Sequence, residues 1–477
     1  MRTETDPYVQ FLATKQPKNL AQGMKRIPAL PKPLKPFQHD IVSWALRMGR
    51  CAIFAGTGLG KTLQQLSWAD AMATHTGKAV LILTPLAVAQ QTCQEAAKFG
   101  IKGVAYAADQ SQAKTRIVVT NYDRVEKFDM ATFGAVVLDE SSIIKSHDSK
   151  TRALLTELCS AIPYRLCCTA TPAPNDYVEL GNHAEFLGIL SAKEMLATWF
   201  IHDGSIRATN SSNHGSKPIA DWRLKRHAER DFWRWLSTWA VVMRHPRDIG
   251  YDEPGYDLPP LNKHQVTVPV EYKADIATGL LFPTEATTLQ EQRQASRASI
   301  AARVAAAVRI VEANPDKPWL IWCQLNDEAD QIAATVGAVN VQGSDDADTK
   351  ARNLLGFANG EIKRLVSKPS LAGFGMNFQV CSSMIFLGLN NSFEQLYQAT
   401  RRCWRFGQTN PVNVYMIAAE TEGAVVANLE AKEQAADYML AQMAEHMKDL
   451  TRRSLKGTPA RSHVQHKKMM EVPSWLA

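Results

Sequence analysis

Two kinds of apolar pattern alternate along the chain. Short unbroken runs rich in Val, Ile and Leu occur at CAIFA (51–55), AVLILT (79–84), RIVVT (116–120), AVVLD (135–139) and YRLCCT (164–169), separated by segments with apolar residues at helical spacing. Unbroken runs suit strands buried on both faces, because a parallel sheet is covered by helices on each side. The pattern resumes at PWLIWC (318–323), AVNVQ (338–342), RLVS (364–367), SMIFLG (383–388) and VNVYMI (412–417). The predicted class is α/β: two tandem parallel-sheet domains with a helical insertion between them and a C-terminal helix.

The same pattern sets expected boundaries: a flexible basic arm at 1–33, a first domain at 34–175, a helical extension without a clear strand at 176–245, and a Pro- and Gly-rich linker at 246–262. A second domain follows at 263–420, then a helix over 421–450 and a basic tail at 451–477. The extension interleaves aromatic and basic residues in WRLKRHAERDFWRWLSTW (222–239). Phe232, Trp235, Leu236 and Trp239 recur at helical spacing and read as a core stripe. That leaves Arg223, Lys225, Arg226 and Arg230 as candidate phosphate contacts. Arg293, Arg297, Arg303 and Arg309 fall on an Ala-rich helical stretch and read as a solvated face.

Composition changes this picture little. Hydrophobic residues make up 45% and charged residues 21% of 477 positions, the balance of a chain with real cores. The longest apolar run, AVLILTPLAVA, is broken by Pro85 and falls short of the ~20 residues a membrane span needs. The start, MRTETDPYVQ, lacks the apolar segment of a secretory signal, so a cytoplasmic location is expected. The eight cysteines show no CxxC and the twelve histidines no HExxH, so no zinc site is assigned. Net charge is only +7, but Arg452, Arg453, Lys456, Arg461, Lys467 and Lys468 lie close together near the C-terminus with no acid among them.

Four strings carry candidate chemistry: AGTGLGKT (55–62), VVLDES (136–141), TATP (169–172) and QATRRCWRFGQ (398–408). The first lies between a predicted strand and a predicted helix, the setting of a phosphate-binding loop. There Gly56, Thr57, Gly58 and Gly60 let successive backbone N–H groups face phosphate oxygens at a helix N-terminus. Lys61 suits the β- and γ-phosphates of ATP, and the Thr62 hydroxyl suits Mg2+. Asp139 and Glu140 end a continuous apolar strand, at the sheet edge where open α/β folds bind ligands. One of these carboxylates, Asp139, is expected to hold Mg2+, and Glu140 to orient and deprotonate the attacking water. The TATP hydroxyls are placed to sense that acidic pair. Arg402 and Arg405 are three apart, hence expected on one helix face, where they supply positive charge opposite the γ-phosphate from a second domain.

With these motifs in this order, the chain resembles the superfamily-two helicases, and among them the Swi/Snf-type (DEAD/DEAH-like) DNA translocases. PFQHDIVSWAL (36–46) is similar to the family's Q-motif, which implies that Gln38 reads adenine. LTPLAVAQQTCQEAAKF (83–99) and TNYDRV (120–125) resemble segments that contact nucleic acid. PWLIWCQLNDEAD (318–330), VSKPSLAGFGMNFQ (366–379) and the string through Gln408 resemble motifs four to six, which places Gly375 and Gln398 beside the nucleotide. The similarity covers about 34–415, and RxxRxGQ with Arg402, Arg405, Gly407 and Gln408 is its most specific element.

The resemblance implies two RecA-like domains, ATP and Mg2+ as cofactors, and a DNA-stimulated ATPase acting as a monomer. Duplex DNA is the favoured partner, with single-stranded and branched DNA open. There are departures. Ser142 stands at the fourth position of DESS, where the family has His or Asp; Arg401 replaces the usual Asp or Gly; Lys368-Pro369 interrupts motif five. The large insertions of chromatin remodellers are missing, which suits a bacterial or phage-encoded enzyme. An unwinding helicase, an RNA helicase, and a nucleotide-switched DNA-binding subunit of a nuclease or a replication or recombination complex remain as alternatives.

Overall fold

The computed structural model describes residues 22–85, 88–145, 149–174, 176–206, 220–269, 297–372, 376–389 and 392–457. The first lobe holds strands β1 (Arg50–Ala55), β2 (Ala79–Thr84), β3 (Val104–Tyr106), β4 (Ile117–Asn121), β5 (Phe133–Asp139) and β6 (Tyr164–Thr169). A small antiparallel pair, β7 (Phe200–Ile206) and β8 (Ala220–Leu224), precedes β9 (Ala240–Met243). The main sheet is parallel in the order β3-β4-β2-β5-β6-β1-β9. The second lobe holds β10 (Leu261–Val268), β11 (Trp319–Cys323), β12 (Val339–Val341), β13 (Arg364–Ser367), β14 (Ser383–Leu387) and β15 (Val412–Ala419). They form a parallel sheet in the order β10-β15-β14-β11-β13-β12.

Strand periodicity divides each apolar run between two cores. Ala52 and Phe54 of β1 join Leu81 and Leu83 of β2 on one face. Cys51, Ile53 and Ala55 join Val80 and Ile82 on the other. In the second lobe Leu320 and Trp322 face one core, while Trp319, Ile321 and Cys323 face the opposite one. Both faces being covered is why these strands carry no polar alternation.

The segment 176–245 differs from the all-helical expectation. Helices Leu180–Leu187, Ala192–Trp199 and Glu229–Ser237 are present, but so are β7, β8 and β9. β9 pairs with β1 and extends the main sheet, with Ala52 opposite Ala240 and Ala55 opposite Met243. Four apolar residues after a Trp-rich helix have no period of their own, so only the β1 partner makes them a strand. The aromatic stripe packs inward as expected: Phe232, Leu236 and Trp239 are fully buried, and Trp199 stacks on Trp235 at 4.7 Å. The expected boundary between linker and second domain likewise falls inside β10, an edge strand paired with β15, whose largely exposed side chains hide it in a hydrophobicity profile.

The terminal elements are more engaged than an arm and a tail. Met24 N–H donates to Leu46 O at 2.8 Å, and Met24, Ile27 and Leu30 pack on the first lobe. Residues 1–21 and 458–477 lie outside the described residues. The last helix runs from Gly423 to Leu455, past the expected end at 450. Its start contributes Val425, Val426 and Leu429 to a second-lobe core, and its later turns contribute Met439, Met443 and Met447 to a first-lobe core. Its end is pinned by Trp44 Nε1, which donates to Ser454 Oγ at 2.8 Å.

Arg303 corrects another expectation. It is not on a solvated face but fully buried, paired with the equally buried Glu328 at 3.0 Å. Gly388 makes this possible: a Cβ there would sit 1.9 Å from Arg303 Nη1. Arg297 and Arg309 are exposed, and Arg293 lies outside the described residues.

Candidate functional site

The carboxyl edge of the first sheet faces the second lobe across a cleft of about 440 Å³. From the first lobe, Gln38, Thr57, Gly58, Gly60, Lys61 and Thr62 line it together with Asp139 and Glu140. From the second come Gln398, Arg402 and Arg405. Gly56 does not line it; its N–H donates to Met243 O at 3.0 Å, tying the loop to the end of β9. Gly375 lies outside the described residues.

The loop after β1 turns through Gly58 and Gly60, with φ of 86° and 76°. A side chain at Gly58 would place Cβ 3.0 Å from the Phe406 backbone nitrogen, so the loop meets the second lobe directly. Lys61 starts the helix Lys61–Thr76, and its Nζ donates to Ala55 O at 2.9 Å and Gly56 O at 3.3 Å. Gln38, expected to read adenine, lines the cleft and is bonded to the loop within it. Its Nε2 donates to Leu59 O at 3.0 Å and its Oε1 accepts from Lys35 N–H at 2.9 Å. The Nε2 end therefore braces the loop while the Oε1 end caps the start of Gln38's own helix, Pro36–Met48, and Gln64 Nε2 adds a second bond to Leu59 O at 2.9 Å.

Asp139 is buried at the end of β5, where Gln65 Nε2 donates to its Oδ1 at 2.7 Å and Tyr122 Oη donates to its backbone oxygen at 2.7 Å. Burial and then repulsion from Glu140 push its carboxyl up to about 7, against the opposing pull of Gln65 and Lys61. Glu140 is the one non-glycine residue with positive φ among those described, at 55°. This left-handed residue ends the strand and turns the chain into the 3-10 segment Ser141–Ile144. Such a conformation costs on the order of 1–3 kcal/mol and is held by its surroundings. One hold is Thr169, whose Oγ1 donates to Glu140 Oε2 at 3.2 Å. The rest of TATP, through Thr171 and Pro172, lines a small pocket with Tyr397 of the second lobe and Leu440 of the last helix.

The arginines reach the cleft by a route other than a shared helix face. The helix Phe393–Thr400 ends before them, and Arg402, Cys403 and Trp404 follow in tight turns bonded back to Ala399 and Thr400. The cause is Gln408, whose Nε2 donates to Gln379 O, Cys381 O and Cys403 O, folding the segment on itself. Arg402 Nη1 donates to Met376 O at 3.2 Å and Nη2 to Gln398 Oε1 at 3.4 Å. Its guanidinium is lowered to about 10, by burial first and then by Arg405, while Glu140 and Asp139 pull the other way. The Arg405 side chain makes no hydrogen bond or ion pair among the described residues, although its backbone oxygen accepts from Gln408 N–H at 3.0 Å. Burial lowers its guanidinium as well, against the pull of Glu95. Arg401 turns elsewhere, 4.2 Å from the Trp404 ring.

These donors fit a nucleoside triphosphate. The Arg405 guanidinium has no hydrogen bond among the described residues, and the buried Thr57 Oγ1 and Gln398 Nε2 are also unbonded there. The oxygen donors Asp139 and Thr62 suit Mg2+, which takes one or two protein ligands when phosphates complete its octahedron. Sequence reasoning missed Gln65, Tyr122, Tyr256 and Glu394. Tyr256 packs between Phe37 of the first lobe and Phe406 of the second, with ring centroids at 5.4 and 4.6 Å. Tyr122 falls inside TNYDRV, which marks a segment and not this side chain; no motif flags the other three, because each acts through a partner distant in sequence.

Comparison with known proteins finds a family model within each lobe. Residues 37–230 match the SNF2-related domain and residues 302–407 match the helicase conserved C-terminal domain. "Putative protein p41" of Acyrthosiphon pisum secondary endosymbiont phage 1 is 29% identical over 177 residues, covering 32% of this chain and 38% of that protein. The chain thus spans well under half the length of that curated relative. A solved structure, the Sulfolobus solfataricus SWI2/SNF2 ATPase core in complex with dsDNA, is 19% identical, with a TM-score of 0.40 over 89% of this chain and 97% of that one. Among the described residues no helix is long and apolar enough to cross a membrane. With an SNF2-related domain followed by a helicase conserved C-terminal domain, the chain belongs to the Swi/Snf-type branch of the superfamily-two helicases.

Proposed function

We infer that the protein is an ATP- and Mg2+-dependent motor that moves along DNA, with duplex DNA the favoured track. The observation that carries this reading is the meeting of Arg402 and Arg405 with Lys61, Asp139 and Glu140 in one cleft, though the two groups belong to different lobes. A switch needing only nucleotide binding has no use for a base, a metal-binding carboxylate and two guanidinium groups around one site.

Bound Mg-ATP would supply the phosphoanhydride to be cleaved and a divalent cation to offset its phosphate charge. Lys61 and the loop amides hold the phosphates, and Thr62 and Asp139 hold the metal. Glu140, steadied by Thr169, orients the attacking water and takes its proton. Arg402 and Arg405 place positive charge where the γ-phosphate develops negative charge, which requires the second lobe to be seated on the first. Hydrolysis is thereby tied to lobe closure, and alternate closing and opening advances the protein on a strand. The SNF2-related domain and the resemblance of 83–99 and 120–125 to nucleic-acid-contacting segments support DNA as the track.

Steady-state ATPase activity compared across duplex, single-stranded and branched DNA and RNA tests this. Stimulation by duplex DNA without strand displacement supports a translocase; displacement of DNA or stimulation by RNA favours an unwinding enzyme. A rate unchanged by any nucleic acid overturns the motor and favours a nucleotide-switched subunit of a nuclease or replication complex.

A further inference from the structure

The acidic motif touches the second lobe through a contact that its sequence does not announce. Ser142 Oγ donates to Glu394 Oε1 at 2.9 Å. Lys145 Nζ donates to the other oxygen, Glu394 Oε2, at 2.5 Å. Each carboxylate oxygen thus takes its own donor from one short stretch of the first lobe. Ser142 is 1% exposed, and the Lys145 and Glu394 side chains are 26% and 30% exposed, so the pair is shielded from bulk water but not sealed from it.

Both ends of this contact lead to chemistry. Ser142 sits two residues after Glu140, in the turn that the left-handed Glu140 begins. Lys145 is fixed by Asn182 Nδ2, which donates to its backbone oxygen at 2.7 Å. Glu394 lies in the first turn of Phe393–Thr400, where a carboxylate is favoured by the helix dipole and Ser392 caps the end. Gln398 is one turn further along the same helix face, and its Oε1 receives Arg402 Nη2. The helix Phe393–Thr400 therefore joins the Glu394 contact with Ser142 to the Gln398 contact with Arg402.

We propose that Glu394 is a positioning residue: with Ser142 and Lys145 it latches the arginine-bearing segment of the second lobe onto the loop that follows the acidic pair. The inference rests on the ATPase reading for its consequence and on geometry for its existence. When the latch is made, the guanidinium groups stand opposite Lys61 and Glu140. When it is broken, nucleotide still binds the first lobe but meets no arginine. The latch thus acts on turnover rather than on ATP affinity.

The test is a charge swap in the full chain. Lys145→Glu and Glu394→Lys should each lower kcat about tenfold, the scale of a lost charge-assisted hydrogen bond, with KM for ATP held within about twofold. The double variant Lys145→Glu/Glu394→Lys should recover most of that turnover, since the pair is re-formed with reversed sign. Hydrogen–deuterium exchange gives a readout independent of activity. Amides of 141–145 and 393–400 should exchange faster in each single variant and return towards the original protection in the swap. Unchanged exchange in the single variants, or a swap as impaired as the worse of them, overturns the latch. An unmodified protein inactive with every nucleic acid overturns the proposed function instead, and exchange alone then decides the latch.

Discussion

Thr169, the last residue of β6, donates its hydroxyl to Glu140 Oε2 at 3.2 Å, joining the strand end that leads into TATP to the left-handed residue that ends β5. The bond fixes a carboxylate that the backbone has already turned away from its strand. Thr169→Val should therefore lower kcat by roughly tenfold, about one lost hydrogen bond to a charged group, with KM for ATP little changed. Thr169→Ser should keep near-normal turnover. Steady-state ATPase kinetics on the three proteins check this.

Glu140→Gln should leave ATP binding intact and reduce turnover by at least ~100-fold, because an amide neither takes the water's proton nor carries the negative charge that orients it. Lys61→Ala should abolish ATP binding itself. Equilibrium binding of a fluorescent ATP analogue, set beside ATPase rates, separates the two effects.

The Arg405 side chain has no hydrogen bond or ion pair to lose among the described residues, and its backbone bond to Gln408 N–H survives truncation, so Arg405→Ala should fold normally. It should nonetheless lower turnover by about 10³-fold if the guanidinium meets the transferring phosphoryl group. A melting temperature near that of the original protein together with near-normal DNA-stimulated ATPase activity would refute the assignment.

His183 gives a pH dependence of stability. It is fully buried, with Nε2 3.2 Å from Ser141 Oγ and its ring edge-on to Phe54 at 5.2 Å. Burial lowers it from 6.5 to about 4. Between those values the unfolded chain takes up a proton that the folded chain refuses, so stability falls as pH drops from about 6.5 towards 4. The loss from this residue reaches about 3 kcal/mol, and below that window its slope ends because both states are protonated. Urea unfolding of the original protein and His183→Gln across pH 4–7 should show a shallower pH dependence in the variant.

Arg303→Met should destabilise the second lobe by roughly 3–5 kcal/mol, because it leaves the fully buried Glu328 carboxylate without its counter-charge. Adding Glu328→Leu should recover part of that loss, since two apolar side chains leave no charge stranded. Thermal unfolding of the single and double variants measures both.

What could be read from the residues was mostly contiguous. AVVLD became the body of β5 because both faces of that strand are covered, and AGTGLGKT turned between strand and helix because its glycines permit it. β9 and β10 were not legible: AVVM is too short to show a period, and LNKHQVTV carries polar side chains because it lies at a sheet edge. Arg303 misled for a related reason. An arginine on an Ala-rich helix looks solvated until Glu328 and the open space at Gly388 are brought to it.

The site divides the same way. By itself the chain determined the phosphate loop, the acidic pair and the presence of two arginines, since each is a local string whose chemistry follows from residue type and spacing. Only the tertiary structure decided that Gln38 braces the loop, that Gln408 folds the arginine segment into turns, and that Glu394 meets Ser142 and Lys145. Those relationships join residues that folding brings together from distant parts of the chain, and no local pattern of polar and apolar positions records which distant group a side chain will meet.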